Sequence, residues 1–256
     1  MKLDPLYFRH RFPVETISYA VWLYYRFSLS FRDVEELMAQ RGVAVTYETI
    51  RIWAEKFGRA NAKRLRSRAG SAGDQWYLDE VFVRMNGKQN ILWRAVDQDG
   101  EVLDILVQSC RNKKAAKRLF KKLLKGQGAA PRIITTDKLK SYAAARQDIM
   151  PSVEHRHDKG LNNCAENSHQ PTRARERQMR RFKSAKHAQT FLSIFGVIGA
   201  YFRIGRHRLK AIHYRELMQR RFSGWAEVVG MPATACLIEV ITKLREKLAH
   251  RCGFET

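Results

Sequence analysis

The sequence predicts an α/β fold: a mixed five-stranded sheet with flanking helices, preceded by an all-helical region and followed by a helical extension. Three observations predict it. The hydrophobic period changes from helical to strand-like at Gln75, after a basic and Gly-rich stretch. From there, three strand patterns are followed by helix, strand, helix, strand and helix, the order of one central sheet covered by helices. With 256 residues, 45% of them hydrophobic, the chain can bury such a core.

The first two helices follow from apolar spacing and capping residues. The stretch VETISYAVWLYYRF has apolar residues three and four positions apart, as on one face of a helix. Ser30 can cap the second helix, with Asp33 completing a capping box, and Gly42 supplies a left-handed stop after EELMAQR. The inward face of the first helix is expected to hold Ile17, Ala20, Val21 and Tyr24.

The third helix, YETIRIWAEKF, is expected to begin after the capping residue Thr46 and to end at Gly58. Its inward face would hold Ile50, Trp53, Ala54 and Phe57, and its outward face Tyr47, Glu48, Arg51 and Glu55. Two short helices joined by a tight turn resemble a helix-turn-helix, whose second helix enters the DNA major groove, although an ordinary three-helix packing module gives the same pattern. The basic context favours DNA binding, with Tyr47 and Arg51 as candidates for base reading.

The stretch GRANAKRLRSRAGSAG lacks an apolar period and indicates a linker. In the core, QWYLDEVFVRM and ILWRAVD are predicted strands joined by an NGKQ hairpin turn, and EVLDILVQ is a third strand. A basic amphipathic helix, KKAAKRLFKKLLK, precedes the strand RIITTD, the helix KLKSYAAARQ and the strand SVEHR. The basic helix would bury Ala116, Leu119, Phe120, Leu123 and Leu124. The predicted domains are 1–60 (helix-turn-helix), 61–74 (linker), 75–205 (core) and 206–256 (helical extension).

The net charge of +23 is spread along the whole chain. Residues 1–70, 71–150, 151–190 and 191–256 each carry +5 or +6, as expected if several parts contact a long polyanion. A ribosome-associated or simply basic protein would show the same charge. Four separated cysteines argue against a zinc ribbon and against a secreted disulfide framework. The charged N-terminus lacks a signal-peptide pattern, and no apolar run approaches the roughly 20 residues of a membrane span, so the reducing cytosol is predicted.

Three acids, separated by 57 and 28 intervening residues, are candidates for one metal site. Asp79 lies inside the apolar run WYLDEVFV, Asp137 ends the fourth strand, and Glu166 begins the helix after the fifth strand. If the first strand is central and the fourth lies beside it, the Glu166 helix can cross both and bring the carboxylates together. Clustered carboxylates repel unless a proton or a cation relieves them. Hard oxygen ligands near phosphate favour Mg²⁺, and two such ions support in-line phosphoryl transfer.

Each acid also has a purely structural explanation. Asn163 and Glu166 can form a capping box, Asp137 can cap the next helix, and Asp79 can pair with a buried lysine. The other acids of the core are weaker candidates: Glu80 on the opposite sheet face, Asp97 and Asp99 in a turn, and Asp104 in mid-strand. A zinc site of His155, His157, Cys164 and His169 matches no common ligand spacing.

Five motifs occur in an order that resembles the DDE transposases of bacterial insertion sequences, specifically the insertion sequence six family: WYLDE, LWRAVDQDG, RNKKAAKRLFKKLL, IITTDKLKSY and VEHR…LNNCAENSH…RQMRRFKS. The resemblance covers residues from about 10 to 205. It implies a helix-turn-helix that binds terminal inverted repeats and a ribonuclease-H-like core that cuts and joins DNA with Mg²⁺, for which Mn²⁺ can substitute. The matching catalytic and metal-binding positions are Asp79, Asp137 and Glu166.

The basic run after the glutamate is expected to hold DNA phosphates. Many transposases of this superfamily carry a basic residue seven positions after the glutamate, and here that residue is Arg173. Pro171 cannot donate a hydrogen bond to residue 167, which predicts a kink or break between Glu166 and Pro171. The interval between Asp137 and Glu166 is also shorter than is usual in the family. The expected phosphate contacts are Arg173, Arg175, Arg177, Arg180 and Arg181.

The resemblance implies a transposase that cleaves the 3′ ends of its element and transfers them to target DNA, by replicative cointegrate formation. Asp79 would bridge two Mg²⁺ ions, with Asp137 and Glu166 completing one each. Because two DNA ends must be handled together, at least a dimer is expected, at the nucleoid of a bacterial cytoplasm. Two alternatives stay open: a non-catalytic helix-turn-helix regulator of DNA, and a ribonuclease-H-like nuclease without strand transfer.

Overall fold

The computed structural model describes residues 4–68, 70, 73–137, 139–157, 163–205 and 209–231. The described chain divides into two compact units. The first contains the residues up to Arg68 together with those from Val197 onward, and the second contains the residues from Gly70 to Gly196. The predictions for residues 158–162 and 232–256 lie outside the described residues.

The first unit begins with three helices, α1 (Val14–Arg26), α2 (Phe31–Ala39) and α3 (Tyr47–Arg68). The predicted capping box of α2 is confirmed, because Ser30 Oγ accepts from the Asp33 amide at 3.1 Å and Asp33 Oδ2 accepts from the Ser30 amide at 2.7 Å. Gly42 ends the helix with φ of 74°, and Thr46 Oγ1 accepts from the Thr49 amide at 3.4 Å. All apolar residues assigned to the inward faces of the first and third helices are buried.

Helix α3 passes through Gly58 and continues to Arg68, so the predicted stop at Gly58 and the predicted linker start at residue 61 were wrong. The reason is that inward packing continues through the glycine: Phe57, just before it, stacks on Tyr7 with ring centroids 4.6 Å apart, and Asn61, beyond it, lies 3.5 Å from the Tyr7 hydroxyl. The next buried residues of this face are Asn61, Ala62 and Leu65. A glycine inside a helix costs about 1 kcal/mol relative to alanine, and burial of one leucine side chain contributes more than that. The intervening arginines and lysines conceal this period in the sequence.

The second unit is built on a five-stranded sheet in the order β3-β2-β1-β4-β5, in which the first strand is central and the fourth lies beside it, as predicted. Its strands are β1 (Gln75–Met85), β2 (Lys88–Asp97), β3 (Val102–Gln108), β4 (Ile133–Thr136) and β5 (Glu154–His157). Strand β1 is central, because it pairs antiparallel with β2 and parallel with β4. The β1–β2 turn uses Asn86 and Gly87, whose φ angles of 47° and 76° suit a type I′ hairpin. The ribonuclease-H-like fold class is thereby confirmed.

Helices cover both faces of this sheet. On one face, α4 (Lys113–Gln127) and α5 (Lys140–Ile149) pack against Trp76, Leu78 and Trp93 of the sheet. Trp93 meets Tyr142 of α5 edge to face, with ring centroids 5.3 Å apart. Successive strand residues point to opposite faces, so the neighbouring Arg94 of β2 faces the other layer. That layer contains α6 (Asn163–Ser168) and α7 (Gln170–Gln178). The predicted buried face of α4 is confirmed, with Leu124 only partly buried.

Two long helices follow, α8 (Ala185–Tyr201) and α9 (Ala211–Val229). The second unit ends earlier than the predicted core, at Gly196 within α8. Beyond it, Phe202 packs edge to face on Trp22 of α1 and on Trp225 of α9, at 6.0 and 5.7 Å. Residues 211–229 are therefore helical, as expected for the extension, and pack with the N-terminal helices. None of the described helices has both the length and the apolar character of a membrane span.

Candidate active site

Two acids occupy neighbouring positions on the central strand β1 and face opposite layers. Asp79 lies opposite Arg94 in the register of β1 and β2 and faces the layer of α6 and α7. There, His169 Nε2 lies 3.5 Å from Asp79 Oδ2. Glu80 faces α5, as the strand alternation predicted, and its Oε2 atom accepts a hydrogen bond of 2.8 Å from the Tyr142 hydroxyl. Pairing with β2 fixes both backbone positions, and β4 pairs with the residues of β1 just before them, from Gln75 to Leu78.

Asp137 follows β4 directly and reaches the same place from the neighbouring strand. Its Oδ1 atom accepts from the Leu139 amide at 3.1 Å, but Leu139 is itself the N-cap residue of α5 and that helix has no side-chain cap, so the capping role considered for Asp137 was wrong. One oxygen each from Asp79, Glu80 and Asp137 lies within 4.8 Å of the other two. The expected meeting of Asp79 and Asp137 is thus present, while Glu80 joins the group although it had been considered only a weak candidate.

Arg111, from the loop before α4, supplies positive charge inside this acidic group. Its Nε atom donates to Glu80 Oε1 at 2.7 Å, and its Nη2 atom lies 3.4 Å from Asp137 Oδ2. The Glu80 side chain is only 2% exposed, whereas that of Arg111 is 38% exposed. Sequence reasoning missed this arginine and the role of Tyr142. The available signal was the position of Arg111 at the start of the RNKKAAKRLFKKLL motif.

Burial and repulsion by nearby carboxylates hold protons on Asp79 and Glu80 more tightly than usual. Burial raises the pKa of Asp79 to about 6, and the charges of Glu80, Asp137 and Glu166 contribute to the increase. Burial also raises the pKa of Glu80, although hydrogen bonds from Tyr142 and Arg111 oppose this change. A divalent cation would relieve the same repulsion, and carboxylate oxygens are its preferred ligands. The group formed by Asp79, Glu80 and Asp137 therefore fits a divalent metal ion.

Glu166 lies on α6, a helix of six residues, and is exposed. It is close enough to raise the pKa of Asp79, but it is not among the acids whose oxygens lie within 4.8 Å of one another. The predicted break before Pro171 is confirmed, because α6 ends at Ser168 and α7 begins at Gln170. The suggested cap from Asn163 concerns a side chain outside the described residues.

The turn between α6 and α7 is fastened to the sheet by Arg94. This guanidinium donates to the carbonyl oxygen of Ser168 and to Thr172 Oγ1. Between these two contacts, the His169 side chain is only 2% exposed. Burial lowers the pKa of His169 to about 2, with the charges of Arg94 and Arg173 adding to the effect, so the ring is neutral. Neither ring nitrogen has a hydrogen-bond partner among the described residues.

Four of the five arginines expected to contact DNA phosphates are exposed: Arg173, Arg177, Arg180 and Arg181. Arg175 is not. It is 1% exposed, and its guanidinium lies 5.5 Å from the centre of the Phe191 ring on α8. The prediction was wrong for Arg175, because the helical turn of α7 directs this side chain inward while its neighbours remain at the surface.

In the first unit, the two residues proposed for base reading lie on the outer face of α3. Tyr47 is 42% exposed, and Arg32 lies over its ring at 5.2 Å. Arg51 is exposed and already paired with Glu48, whose carboxylate accepts from Arg51 Nη2 at 2.6 Å. Base reading by these two residues remains a prediction.

Four of the weaker candidates, two acids and two histidines, have structural partners. Asp97 Oδ1 accepts from the amides of residues 99 and 101 at 3.0 and 2.9 Å, the turn role expected for it. Asp104 pairs with Lys122 of α4 at 2.9 Å. The rings of His155 and His157 lie 3.8 Å apart. Within the described residues, neither belongs to a group with metal-ligand geometry.

A family model described as a DDE domain, named for IS240, matches residues 73–204. The transposase for the insertion sequence-like element IS431mec of Staphylococcus aureus is 30% identical over 186 residues, which cover 70% of this chain and 83% of that protein. The chain belongs to the DDE transposases of the insertion sequence six family. The transposase for IS257 in transposon Tn4003 of Staphylococcus aureus shows the same identity and coverage. This transposase is therefore an enzyme that cleaves and transfers DNA.

Two further proteins align with parts of this transposase. Uncharacterized protein pYV0051 of Yersinia pseudotuberculosis is 38% identical over 81 residues, or 31% of this chain and 76% of that protein. A chain in the structure of the simian T-cell lymphotropic virus intasome with PP2A regulatory subunit B56 gamma aligns with a TM-score of 0.37 and 13% identity. That alignment covers 49% of this chain and 50% of the other. The family assignment depends on the DDE match and the staphylococcal relatives.

Proposed function

We propose that this transposase binds the terminal inverted repeats of an insertion sequence, cleaves the 3′ ends of the element and joins them to target DNA. The reaction is replicative and ends in a cointegrate. One observation carries the catalytic part of this proposal: Asp79 and Asp137 approach each other from neighbouring parallel strands, beside a third acid, Glu166, that raises the pKa of Asp79.

The proposed ligands of two Mg²⁺ ions are Asp79, Asp137 and Glu166, with Asp79 shared between the ions. Hard carboxylate oxygens near phosphate favour Mg²⁺ over softer metals, and Mn²⁺ is its usual substitute. When bound, the ions supply activation of the attacking water or 3′-hydroxyl and stabilisation of the leaving oxygen. The raised pKa of Asp79 supports this assignment, because burial first and the repulsion of neighbouring carboxylates second disfavour its charge, and a bound cation would relieve both.

The protein groups position these acids and leave the site open to DNA. Strand β1 holds the backbone of Asp79, and the Leu139 amide orients one oxygen of Asp137. The Asp137 side chain is 31% exposed and Glu166 is exposed, so a phosphodiester can approach them. Arg111 neutralises the buried Glu80 beside the site, which keeps an unpaired charge from opposing the phosphate.

DNA is held by two basic surfaces in this proposal. The exposed arginines of α7 and the turn after it (Arg173, Arg177, Arg180 and Arg181) contact phosphates, and Tyr47 and Arg51 of α3 read bases in the major groove. Replacing one phosphate-contacting arginine should lower the slope of log affinity against log salt concentration by about one, because one fewer counterion is released. Arg177→Ala should show this change, whereas Arg175→Ala should mainly lower the stability of the fold, because Arg175 is buried.

We further propose that the active complex contains at least two copies of the chain and forms at the nucleoid, because two element ends must react in one assembly. Light scattering of the protein bound to DNA that carries one end should give the mass of a dimer or a larger assembly. A complex whose mass corresponds to a single protein chain would contradict this part of the proposal.

The deciding experiment uses DNA that carries the element ends, with either Mg²⁺ or EDTA. We expect 3′-end nicks and joined products with Mg²⁺ only. Asp79→Asn should abolish both products and still bind the ends in a gel-shift assay. The matched control is Asp99→Asn, an exposed acid of the β2–β3 turn, which should behave as the wild type.

Two other outcomes would overturn the proposal. Binding without Mg²⁺-dependent strand breakage would indicate a regulator that uses the helix-turn-helix alone. Nicks without joined products would indicate a nuclease without strand transfer.

A further inference from the structure

His169 is a buried polar side chain with no hydrogen-bond partner among the described residues. Both of its ring nitrogens are inaccessible, and the side chain is 2% exposed. Burying an imidazole without a partner is unfavourable, and an apolar side chain of similar size would fill the position without that penalty. The position of this histidine therefore calls for an explanation other than packing.

The ring of His169 is directed at Asp79. Its Nε2 atom lies 3.5 Å from Asp79 Oδ2, slightly longer than a hydrogen bond. The ring is also held in place, because Arg94 donates to the residues on both sides of it, Ser168 and Thr172. A displacement of about 0.5 Å by the carboxylate would complete the hydrogen bond.

His169 contacts one of the clustered acids and is not itself in the cluster. The acids whose oxygens lie within 4.8 Å of one another are Asp79, Glu80 and Asp137, of which Asp79 and Asp137 are proposed ligands. The histidine amide also donates to the Glu166 carbonyl oxygen at 3.1 Å, so the backbone connects it to the third proposed ligand. This placement is typical of a residue that orients a metal-binding carboxylate from behind.

We propose that His169 is a positioning residue whose Nε2–H donates a hydrogen bond to Asp79 Oδ2 when the cation is bound, which fixes the orientation of that carboxylate toward the metal. This inference rests on the proposed function, in which Asp79 is a metal ligand. Through the turn between α6 and α7, the same residue connects the positions of Asp79 and Glu166. Outer partners of metal ligands typically change metal affinity by about 10- to 100-fold when removed.

The test measures Mn²⁺ binding to the full chain without DNA, by the electron paramagnetic resonance signal of free Mn²⁺. His169→Leu removes the donor at similar volume, and His169→Gln retains an amide donor of similar reach. We expect His169→Leu to weaken the Mn²⁺ Kd by about 10- to 100-fold and His169→Gln to stay within about threefold of the wild type. The control His213→Leu, at an exposed histidine of α9, should bind as the wild type.

A thermal unfolding scan in EDTA separates positioning from packing. His169→Leu should unfold at the wild-type temperature or above, because it removes a buried polar group without a partner. If His169→Leu binds Mn²⁺ as the wild type does, or if its metal affinity falls only together with its stability, the proposal is overturned. Should the leucine variant not fold, His169→Asn replaces it, since its shorter amide cannot reach Asp79 and must weaken binding relative to His169→Gln.

Asp79→Asn distinguishes failure of this inference from failure of the proposed function. Loss of Mn²⁺ binding in Asp79→Asn with wild-type binding in His169→Leu would reject only the role of the histidine. Wild-type binding in Asp79→Asn would reject Asp79 as a ligand, and the proposed metal site with it.

Discussion

Asp79 and Glu80 are adjacent acids on one strand, and the protein treats them in opposite ways. Both oxygens of Glu80 have strong partners, the Tyr142 hydroxyl at 2.8 Å and the Arg111 guanidinium, whose Nε lies at 2.7 Å. Asp79 has repelling carboxylates nearby and a histidine at 3.5 Å, and its pKa is raised to about 6. Two acids of equal charge on one strand thus differ in the hydrogen-bond and charged partners that the protein gives to their carboxylates. Of the two acids, Asp79 is therefore the proposed ligand of a cation.

The largest expected difference between the two acids is in catalysis. Asp79→Asn should lower the single-turnover rate of end cleavage by at least about a thousandfold, since a lost metal ligand removes several kcal/mol of transition-state stabilisation. Glu80→Gln should lower it by about tenfold or less, because its partners are protein groups. Equal losses in the two variants would show that Glu80 is also a ligand and would end the comparison.

The second difference concerns pH, measured in EDTA so that no cation contributes. The folded protein binds the Asp79 proton more tightly than the unfolded chain does, because the pKa is about 6 compared with 3.8. The free energy of unfolding should therefore fall as the pH rises from about 4 to about 6, by up to about 3 kcal/mol from this group. In urea unfolding, the free energy of unfolding of Asp79→Asn should therefore rise relative to that of the wild type as the pH increases over that range. A constant difference at all pH values would contradict the assignment.

On the Glu80 side, the hydroxyl of Tyr142 should matter for stability. Tyr142 is fully buried and donates to the carboxylate, so Tyr142→Phe should cost about 2 kcal/mol of unfolding free energy. The matched control is Tyr77→Phe, on the same strand as Glu80, where the tyrosine hydroxyl is only partly buried and donates to Gln75 at 3.3 Å. That variant should change stability by less than about 0.5 kcal/mol. Similar losses in both variants would show that the buried carboxylate does not depend on its tyrosine.

The smallest expected effect comes from Arg111, whose side chain is partly exposed. Arg111→Met removes the positive partner of Glu80 and Asp137, so an added cation should be bound more tightly. We expect the Mn²⁺ Kd of the full chain to fall by about two- to fivefold, since partly solvated charges interact modestly. Weaker Mn²⁺ binding in this variant would mean that the arginine helps to build the metal site.

The sheet could be predicted well from the sequence, because its signals are local. Alternating residues mark β1, and Asn86 with Gly87 permits one tight hairpin. The end of α3 could not be predicted in the same way, since Gly58 is a local stop signal that the packing of Phe57 and Leu65 overrides.

For the site, the strand order was enough to bring Asp79 and Asp137 together. The partners that distinguish the acids depend on tertiary contacts that have no fixed spacing. Arg111 enters from a loop, Tyr142 from α5, and His169 from a turn that packs against β2. The burial of Arg175 likewise depends on which side of α7 meets α8, and a run of alternating arginines does not reveal it.

The interruption at His169 divides two tasks of the proposed function between two elements. Glu166 is carried by fewer than two turns of helix, whereas the exposed arginines belong to α7 and the turn after it. Arg94 fastens both elements to the sheet, because it donates to the Ser168 carbonyl oxygen at the end of α6 and to Thr172 Oγ1 of α7. One buried side chain of β2 would therefore set the spacing between the hold on the phosphate chain and the metal-binding glutamate.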